Sequence, residues 1–234
     1  MSRRPPTPIA AVIFDLDGTL IATRRLYITA LADALRPVVG RHLSEPEIMA
    51  YRPKAERRFL AEVVATWDPA ALPDVLEEFY RSYERHHDER FEGVYRDVPS
   101  LLAGLRGRKV PLGLVTGKSV RAWEVTAPRA GLGSFETVVL DDHVPAPKPD
   151  PSGLRLAARA MGADPSRTVY VGDSLTDLDA AVSAGMQGAG VLWSKKPDER
   201  DPFAEASRER SAHVLARPVD LLHLLDRGDA AARG

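Results

Sequence analysis

The 234-residue sequence contains no cysteine. That absence excludes disulfides, thiolate metal sites and a cysteine nucleophile, and it suits a reducing compartment, so a cytoplasmic location is expected. Charge of one sign is missing as well: Lys and Arg number 32 against 33 Asp and Glu, a formal net charge of -1. Without a global basic field, nucleic acid is not an expected partner, and any anion must be bound locally. No apolar run approaches the roughly 18 residues of a membrane helix, so no membrane partner is expected. The start Met-Ser-Arg-Arg-Pro-Pro-Thr-Pro lacks the apolar stretch of a signal peptide, which speaks against secretion. No repeat of solenoid period occurs. Gly131-Leu132-Gly133 and the glycines between Gly185 and Gly190 do not match G-x-G-x-x-G, so there is no dinucleotide fingerprint.

What is present is an ordinary globular composition, 44% hydrophobic and 28% charged, at a length that fits one domain or a core with a smaller insertion. Ile9 to Phe14 is a continuous apolar run, the mark of a parallel strand buried on both faces. Similar runs follow at Pro111 to Val115, Thr137 to Leu140, Thr168 to Val171 and Gly188 to Leu192, with a weaker one at Ala212 to Ala216. Between them lie segments of helical period: Pro99 to Leu105, Ser119 to Ala130, Pro151 to Met161 and Leu175 to Ala184, with a last helix at Val219 to Leu225. The alternation predicts an α/β fold with a doubly wound parallel sheet. Thr23 to Glu92 breaks it. Leu26 to Leu35, Ala55 to Trp67 and Leu72 to His86 carry helical period, separated by Pro37, Pro46, Pro53 and Pro69, so an all-helical insert after the first strand is predicted, with hinges at its two junctions. The Pro-rich tail before Ile9 is expected to be disordered.

Four strand ends carry polar residues. Asp15 and Asp17, at i and i+2 in Asp15-Leu16-Asp17-Gly18-Thr19, fall on one face past a buried strand, and two carboxylates so close call for a divalent cation or a shared proton. The plain alternative is an Asp-Gly turn. Thr116-Gly117-Lys118-Ser119 puts a hydroxyl and a glycine at a helix start, suited to an anion, or merely an N-cap at Ser119. Lys148 lies between Pro147 and Pro149 on a stiff loop, as a directed cation or a solvated one. Gly172-Asp173-Ser174-Leu175-Thr176-Asp177 opens a helix with two more carboxylates, Asp173 being an N-cap on the plainer reading. Elsewhere the plain reading leads: His86 and His87 as a solvated face, Trp123, Trp193 and Met161 as packing, and the Arg52, Lys54, Arg57, Arg58 cluster as a solvated face that could instead meet an anionic substrate.

Together these motifs resemble the haloacid dehalogenase superfamily, and within it the phosphoglycolate phosphatase-like members. The resemblance covers the whole chain. It implies a Rossmann-like catalytic core of residues 1–22 and 93–234 and a C1-type helical cap of residues 23–92. It implies Asp15 as nucleophile forming an aspartyl-phosphate, Asp17 as general acid/base, and Thr116, Gly117 and Lys148 as the phosphate-binding groups. Mg²⁺ would be held by Asp15, the backbone carbonyl of Asp17, Asp173 and Asp177. The implied activity is Mg²⁺-dependent hydrolysis of a small phosphomonoester, with Arg52 and Arg57 as candidates for reading the substrate, in a monomer or homodimer. An Asp at position 17 favours phosphoryl chemistry over carbon–halogen cleavage. The alternatives are an inorganic pyrophosphatase, a β-phosphoglucomutase-like phosphotransferase, or a non-catalytic binder. The sequence departs from many such members at Ala22 and Thr23, where they carry an acidic residue and a serine.

Overall fold

The computed structural model describes residues 8–51 and 55–233, with side chains up to residue 227. Most of the Pro-rich tail, and Arg52 with Lys54, therefore lie outside the described residues. The chain runs β1 (Ala11–Phe14), β2 (Ile21–Ala22), α1 (Arg24–Val39), α2 (Glu45–Ala50), α3 (Glu56–Ala65), α4 (Leu72–Arg90), β3 (Gly93–Val94), α5 (Val98–Gly107), β4 (Leu112–Val115), α6 (Val120–Ala130) and β5 (Thr137–Val139). It continues through α7 (Ser152–Ala160), β6 (Thr168–Gly172), α8 (Leu175–Ala184), β7 (Gln187–Val191), α9 (Pro197–Glu209), β8 (His213–Leu215) and α10 (Asp220–Arg233).

Six strands pair in parallel in the order β5-β4-β1-β6-β7-β8, with Val12 level with Leu112 on one side and Val169 on the other. The expected doubly wound sheet is present, and its continuous apolar strands have the physical reason anticipated: both faces are covered. Val12, Phe14, Leu112, Leu114, Val169 and Val171 pack with Leu101, Leu105, Leu221 and Leu225 of α5 and α10. The alternate residues, Ile13 and Tyr170, pack with Leu154 and Ala157 of α7 and with Ala180, Ala181 and Ala184 of α8, whose small side chains let that helix lie close. Truncating a fully buried ring such as Phe14 to alanine would cost about 3–5 kcal/mol. From β1 the chain moves outward to β4 and β5, then crosses back to β6 and continues to β8. The reversal opens a crevice at the carboxyl ends of β1, β4 and β6, where α/β sheets bind ligands.

Helices α1 to α4 occupy the stretch between β2 and β3 and have their own apolar core, built on Leu31, Leu35, Leu60, Val64 and Phe79. The short antiparallel pair β2–β3, with Ile21 level with Val94, brings the two chain crossings side by side. Several helices differ from the sequence expectation. Helix α1 runs through Pro37 to Val39, because a proline in the last turn forfeits little and Gly40, at φ 77°, closes the helix with its N–H on the Arg36 carbonyl. Helix α2 has no apolar period, but Ser44 and Glu47 form a reciprocal cap at its start. Helix α9 buries only Ala204 and Ser207, too little to leave a periodic signal. The solvated face expected at His86 and His87 is corrected for His87: it lies one helical turn beyond Tyr83, fully buried, its ring 5.8 Å from Tyr83 and 4.8 Å from Phe91. Burial pushes its pKa down, and neither ring nitrogen has a hydrogen-bond partner. Trp123, Trp193 and Met161 are packing residues as expected, and Trp193 also donates its indole N–H to the Thr19 carbonyl at 2.9 Å.

Candidate active site

The strand β1 does not stop at Phe14 in its hydrogen bonding. The Asp15 N–H donates to the Val171 carbonyl at 2.8 Å, which fixes that side chain at the crevice between β1 and β6. The chain then turns at Gly18, where φ is 81° and a Cβ would stand 2.6 Å from the Asp173 carboxylate; only glycine fits. Gly172 has the same function on the other side, since a Cβ there would lie 2.5 Å from the Asp177 side chain. The two glycines let carboxylates from β1 and α8 approach one another.

Asp15, Asp173 and Asp177 each present a carboxylate oxygen within 4.8 Å of the others. Lys148 reaches into this group from the loop before α7, its Nζ 2.6 Å from both Asp15 Oδ1 and Asp177 Oδ1 and donating to the Tyr170 hydroxyl at 2.9 Å. Lys195 pairs with Asp173 at 2.8 Å. Three carboxylates thus face two ammonium groups. Burial pushes Asp15 up to about 8, with Asp177 and Asp173 raising it further against the pull of Lys148. Burial also raises Asp173, opposed by Lys195. Asp177 goes the other way: burial alone would raise it, but Lys148 and the Ser174 hydroxyl and N–H outweigh that and hold it below the ordinary carboxylate value. Lys148 is held above the ordinary lysine value, since Asp15 and Asp177 outweigh its burial. Three buried carboxylates gathered against two ammonium groups leave negative charge in excess, and a hard divalent cation among oxygen ligands is the group that such a set accommodates. The donor set fits the expected metal. Asp173, engaged among the described residues by Lys195 alone, has more free ligand capacity than Asp177, which meets Lys148, Tyr170 and Ser174.

On the β4 side, Thr116 and Gly117 line the same cavity of about 300 Å³, together with Asp17 and Lys148. Ser119 does cap α6, accepting from the Ala122 N–H at 3.3 Å, but its hydroxyl also donates to Glu56 Oε2 at 2.7 Å. Two buried residues that carried no role in the sequence reading appear here. Lys118 Nζ lies 3.3 Å from Asp17 Oδ1, 3.5 Å from Glu56 Oε1 and 3.0 Å from the Tyr83 hydroxyl. Thr23, at one of the departing positions, donates to Asp17 Oδ1. Arg57 is placed outside the cavity lining, in an ion pair with Asp142, and Arg58 donates to Asp141 and to the carbonyls of Val144 and Pro145. Arg52 lies outside the described residues. Tyr170 was hidden inside an apolar run, and Glu56 inside a run of charges; only the placement of Lys118 beside Thr116 and Gly117 offered a signal.

Two aspartates, a threonine, a lysine and a further aspartate pair thus meet in one cavity at the carboxyl ends of the parallel strands. The profile of the haloacid dehalogenase-like hydrolases matches residues 12–191, and the chain belongs to that family. It is 30% identical over 92% of its length to pyrophosphatase PpaX of Bacillus velezensis, covering 96% of that protein. It is 31% identical over 94% of its length to the N-acetylmuramic acid 6-phosphate phosphatase of Pseudomonas aeruginosa, again covering 96%. The structure of a family IA, variant 3 hydrolase from Entamoeba histolytica superposes with a TM-score of 0.78 at 16% identity, covering 94% of this chain and all of the other. The protein is a phosphatase of this family. Among the described residues, no helix is long and apolar enough to cross a membrane.

Proposed function

We propose that the protein is an Mg²⁺-dependent phosphomonoester hydrolase acting on a small phosphorylated metabolite, of the phosphoglycolate phosphatase-like type. The observation that carries this reading is the buried Asp15 carboxylate, 2.6 Å from Lys148 and within reach of both Asp173 and Asp177. Asp15 attacks phosphorus as the bond to the leaving oxygen breaks, giving an aspartyl-phosphate. Asp17 protonates the leaving oxygen, then takes a proton from the water that hydrolyses the acyl-phosphate and restores Asp15. The Thr116 hydroxyl, the Gly117 N–H and Lys148 bind the phosphoryl oxygens. Asp15, the Asp17 carbonyl, Asp173 and Asp177 would hold Mg²⁺, which supplies cancellation of the repulsion between phosphate and carboxylates. Residues 1–22 and 93–234 form the catalytic core in this reading, and residues 23–92 cover it, excluding water.

Phosphate release from p-nitrophenyl phosphate and a panel of small phosphoesters, with Mg²⁺ and with excess EDTA, tests it. Turnover that needs Mg²⁺ and vanishes in Asp15→Asn is the expected result; full activity in EDTA refutes the metal assignment. Hydrolysis of inorganic pyrophosphate is the second reading, supported by the resemblance to PpaX. A mutase would yield isomeric sugar phosphates in place of free phosphate.

A further inference from the structure

The half of the cavity remote from Asp173 and Asp177 receives whatever is attached to the phosphoryl group. Its wall includes Thr23, Tyr27, Ile28, Met49, Glu56 and Lys118. Every described cation lining the cavity already faces a carboxylate: Arg24 pairs with Glu45 at 2.7 Å, Lys148 with Asp15 and Asp177, Lys195 with Asp173, and Lys118 with Asp17 and Glu56. Lys118 donates to Glu56 Oε1 and to the Tyr83 hydroxyl and pairs with Asp17 at 3.3 Å, so its single charge is already shared between two carboxylates. On this side two carboxylates, Asp17 and Glu56, share one ammonium, and the local charge is negative. A second anionic group would enter against that charge with no unpaired cation among the described residues to receive it.

Glu56 is itself buried and unevenly used. Its Oε2 accepts both the Ser119 N–H at 3.1 Å and the Ser119 hydroxyl at 2.7 Å, whereas Oε1 has, among the described residues, only the Lys118 ammonium at 3.5 Å. Oε1 therefore retains acceptor capacity at the cavity wall. Tyr27, Ile28 and Met49 beside it offer apolar surface. We propose that the site takes phosphoesters of uncharged, hydroxyl-bearing leaving groups, a sugar or a polyol, and that Glu56 is a specificity-determining residue that accepts a hydrogen bond from a leaving-group hydroxyl. The inference rests on the phosphomonoesterase reading above and narrows its substrate class. It is opposed to an anionic leaving group, whether a carboxylate or a second phosphate.

The cleanest test uses two substrates of one skeleton, 2-hydroxyethyl phosphate and phosphoglycolate, which differ by a CH₂OH in place of a carboxylate. The expected kcat/KM with Mg²⁺ is at least tenfold higher for 2-hydroxyethyl phosphate, and pyrophosphate is expected to fall with phosphoglycolate. In Glu56→Gln, which keeps a group able to bond Ser119, the ratio of kcat/KM for glucose 6-phosphate to that for p-nitrophenyl phosphate is expected to fall about tenfold, since only the sugar carries hydroxyls for Glu56 to accept. Equal or greater kcat/KM for phosphoglycolate overturns the charge argument. An unchanged ratio in Glu56→Gln overturns the role of Glu56. Wild-type protein that hydrolyses p-nitrophenyl phosphate yet prefers the carboxylate refutes this inference alone, whereas wild-type protein inert towards p-nitrophenyl phosphate refutes the hydrolase reading beneath it as well.

Discussion

Asp15→Asn separates chemistry from stability. In the metal-free protein, burial pushes the Asp15 carboxyl from about 3.8 up to about 8. A carboxyl whose pKa is raised on folding binds more protons folded than unfolded, so its stability is fullest below about pH 4 and is lost as the pH rises through 8. At pH 7 the difference spans about three pH units at 1.36 kcal/mol each, an upper bound of about 4 kcal/mol. Lys148, at 2.6 Å, can still donate to an asparagine oxygen, so the amide removes the repulsion from Asp173 and Asp177 without stranding the ammonium. In EDTA at pH 7 the variant is therefore expected to be more stable than wild type by about 1–4 kcal/mol in urea denaturation, with the gap shrinking towards pH 4. Saturating Mg²⁺ should close or reverse it, because the cation stabilises only the wild-type carboxylate set. An amide cannot attack phosphorus, so turnover should be lost. A variant less stable than wild type in EDTA at pH 7 would refute the electrostatic account, and turnover within tenfold of wild type would remove Asp15 from the reaction.

Asp173→Ala should raise the Mg²⁺ concentration for half-maximal turnover more than Asp177→Ala does, because Asp177 is already engaged by Lys148 and Ser174; Asp177→Ala should act mainly on kcat, and titration of both variants with Mg²⁺ distinguishes the two outcomes. His87 is buried neutral, so its unfolded form gains a proton first as the pH falls through 6.5, and wild type should lose stability towards pH 5 relative to His87→Leu, read as the difference between their urea midpoints; parallel profiles would show that His87 is not the titrating group. Arg58→Ala strands the buried Asp141 carboxylate and should lower stability by about 1–3 kcal/mol while leaving the ranking of substrates unchanged; a changed ranking would place Arg58 at the substrate.

The half that carries the parallel sheet was legible for a physical reason. Strands covered on both faces are continuous apolar runs, and each run here ends in polar residues that such a strand has no other use for. The Asp15, Asp17, Thr116, Lys148 and Asp173 positions therefore stood out without any contact being known. Tyr170 did not, because an aromatic inside Thr168 to Val171 reads as core, and its hydroxyl turns to Lys148, Asp177 and the Val115 carbonyl only once the sheet and its loops are assembled. Glu56 and Lys118 lie 62 residues apart, and neither position distinguishes a buried pair from two solvated charges until the insert is docked. His87 shows the same limit in reverse: a run of charged neighbours disguised a side chain that faces Tyr83 and Phe91.

The basic segment at the start of α3 carries the larger lesson. Glu56, Arg57 and Arg58 are consecutive, so on a helix they fan out by about 100° each and cannot share one ligand. All three nevertheless find partners on the core. Glu56 meets Lys118 and Ser119, Arg57 meets Asp142, and Arg58 meets Asp141 with the Val144 and Pro145 carbonyls. They can do so because β4 and β5 are paired in parallel, which places the loops that leave their carboxyl ends next to each other at the first turn of α3. Two adjacent arginines facing two adjacent aspartates is a complementary docking pattern, and the Asp142 carboxylate also accepts the Val120 N–H at the start of α6. The loop from Asp141 runs on to Lys148 within a few residues. Docking of the helical insert and placement of the lysine beside Asp15 are thereby linked through one segment, and Arg57 and Arg58 have carboxylate partners on the core.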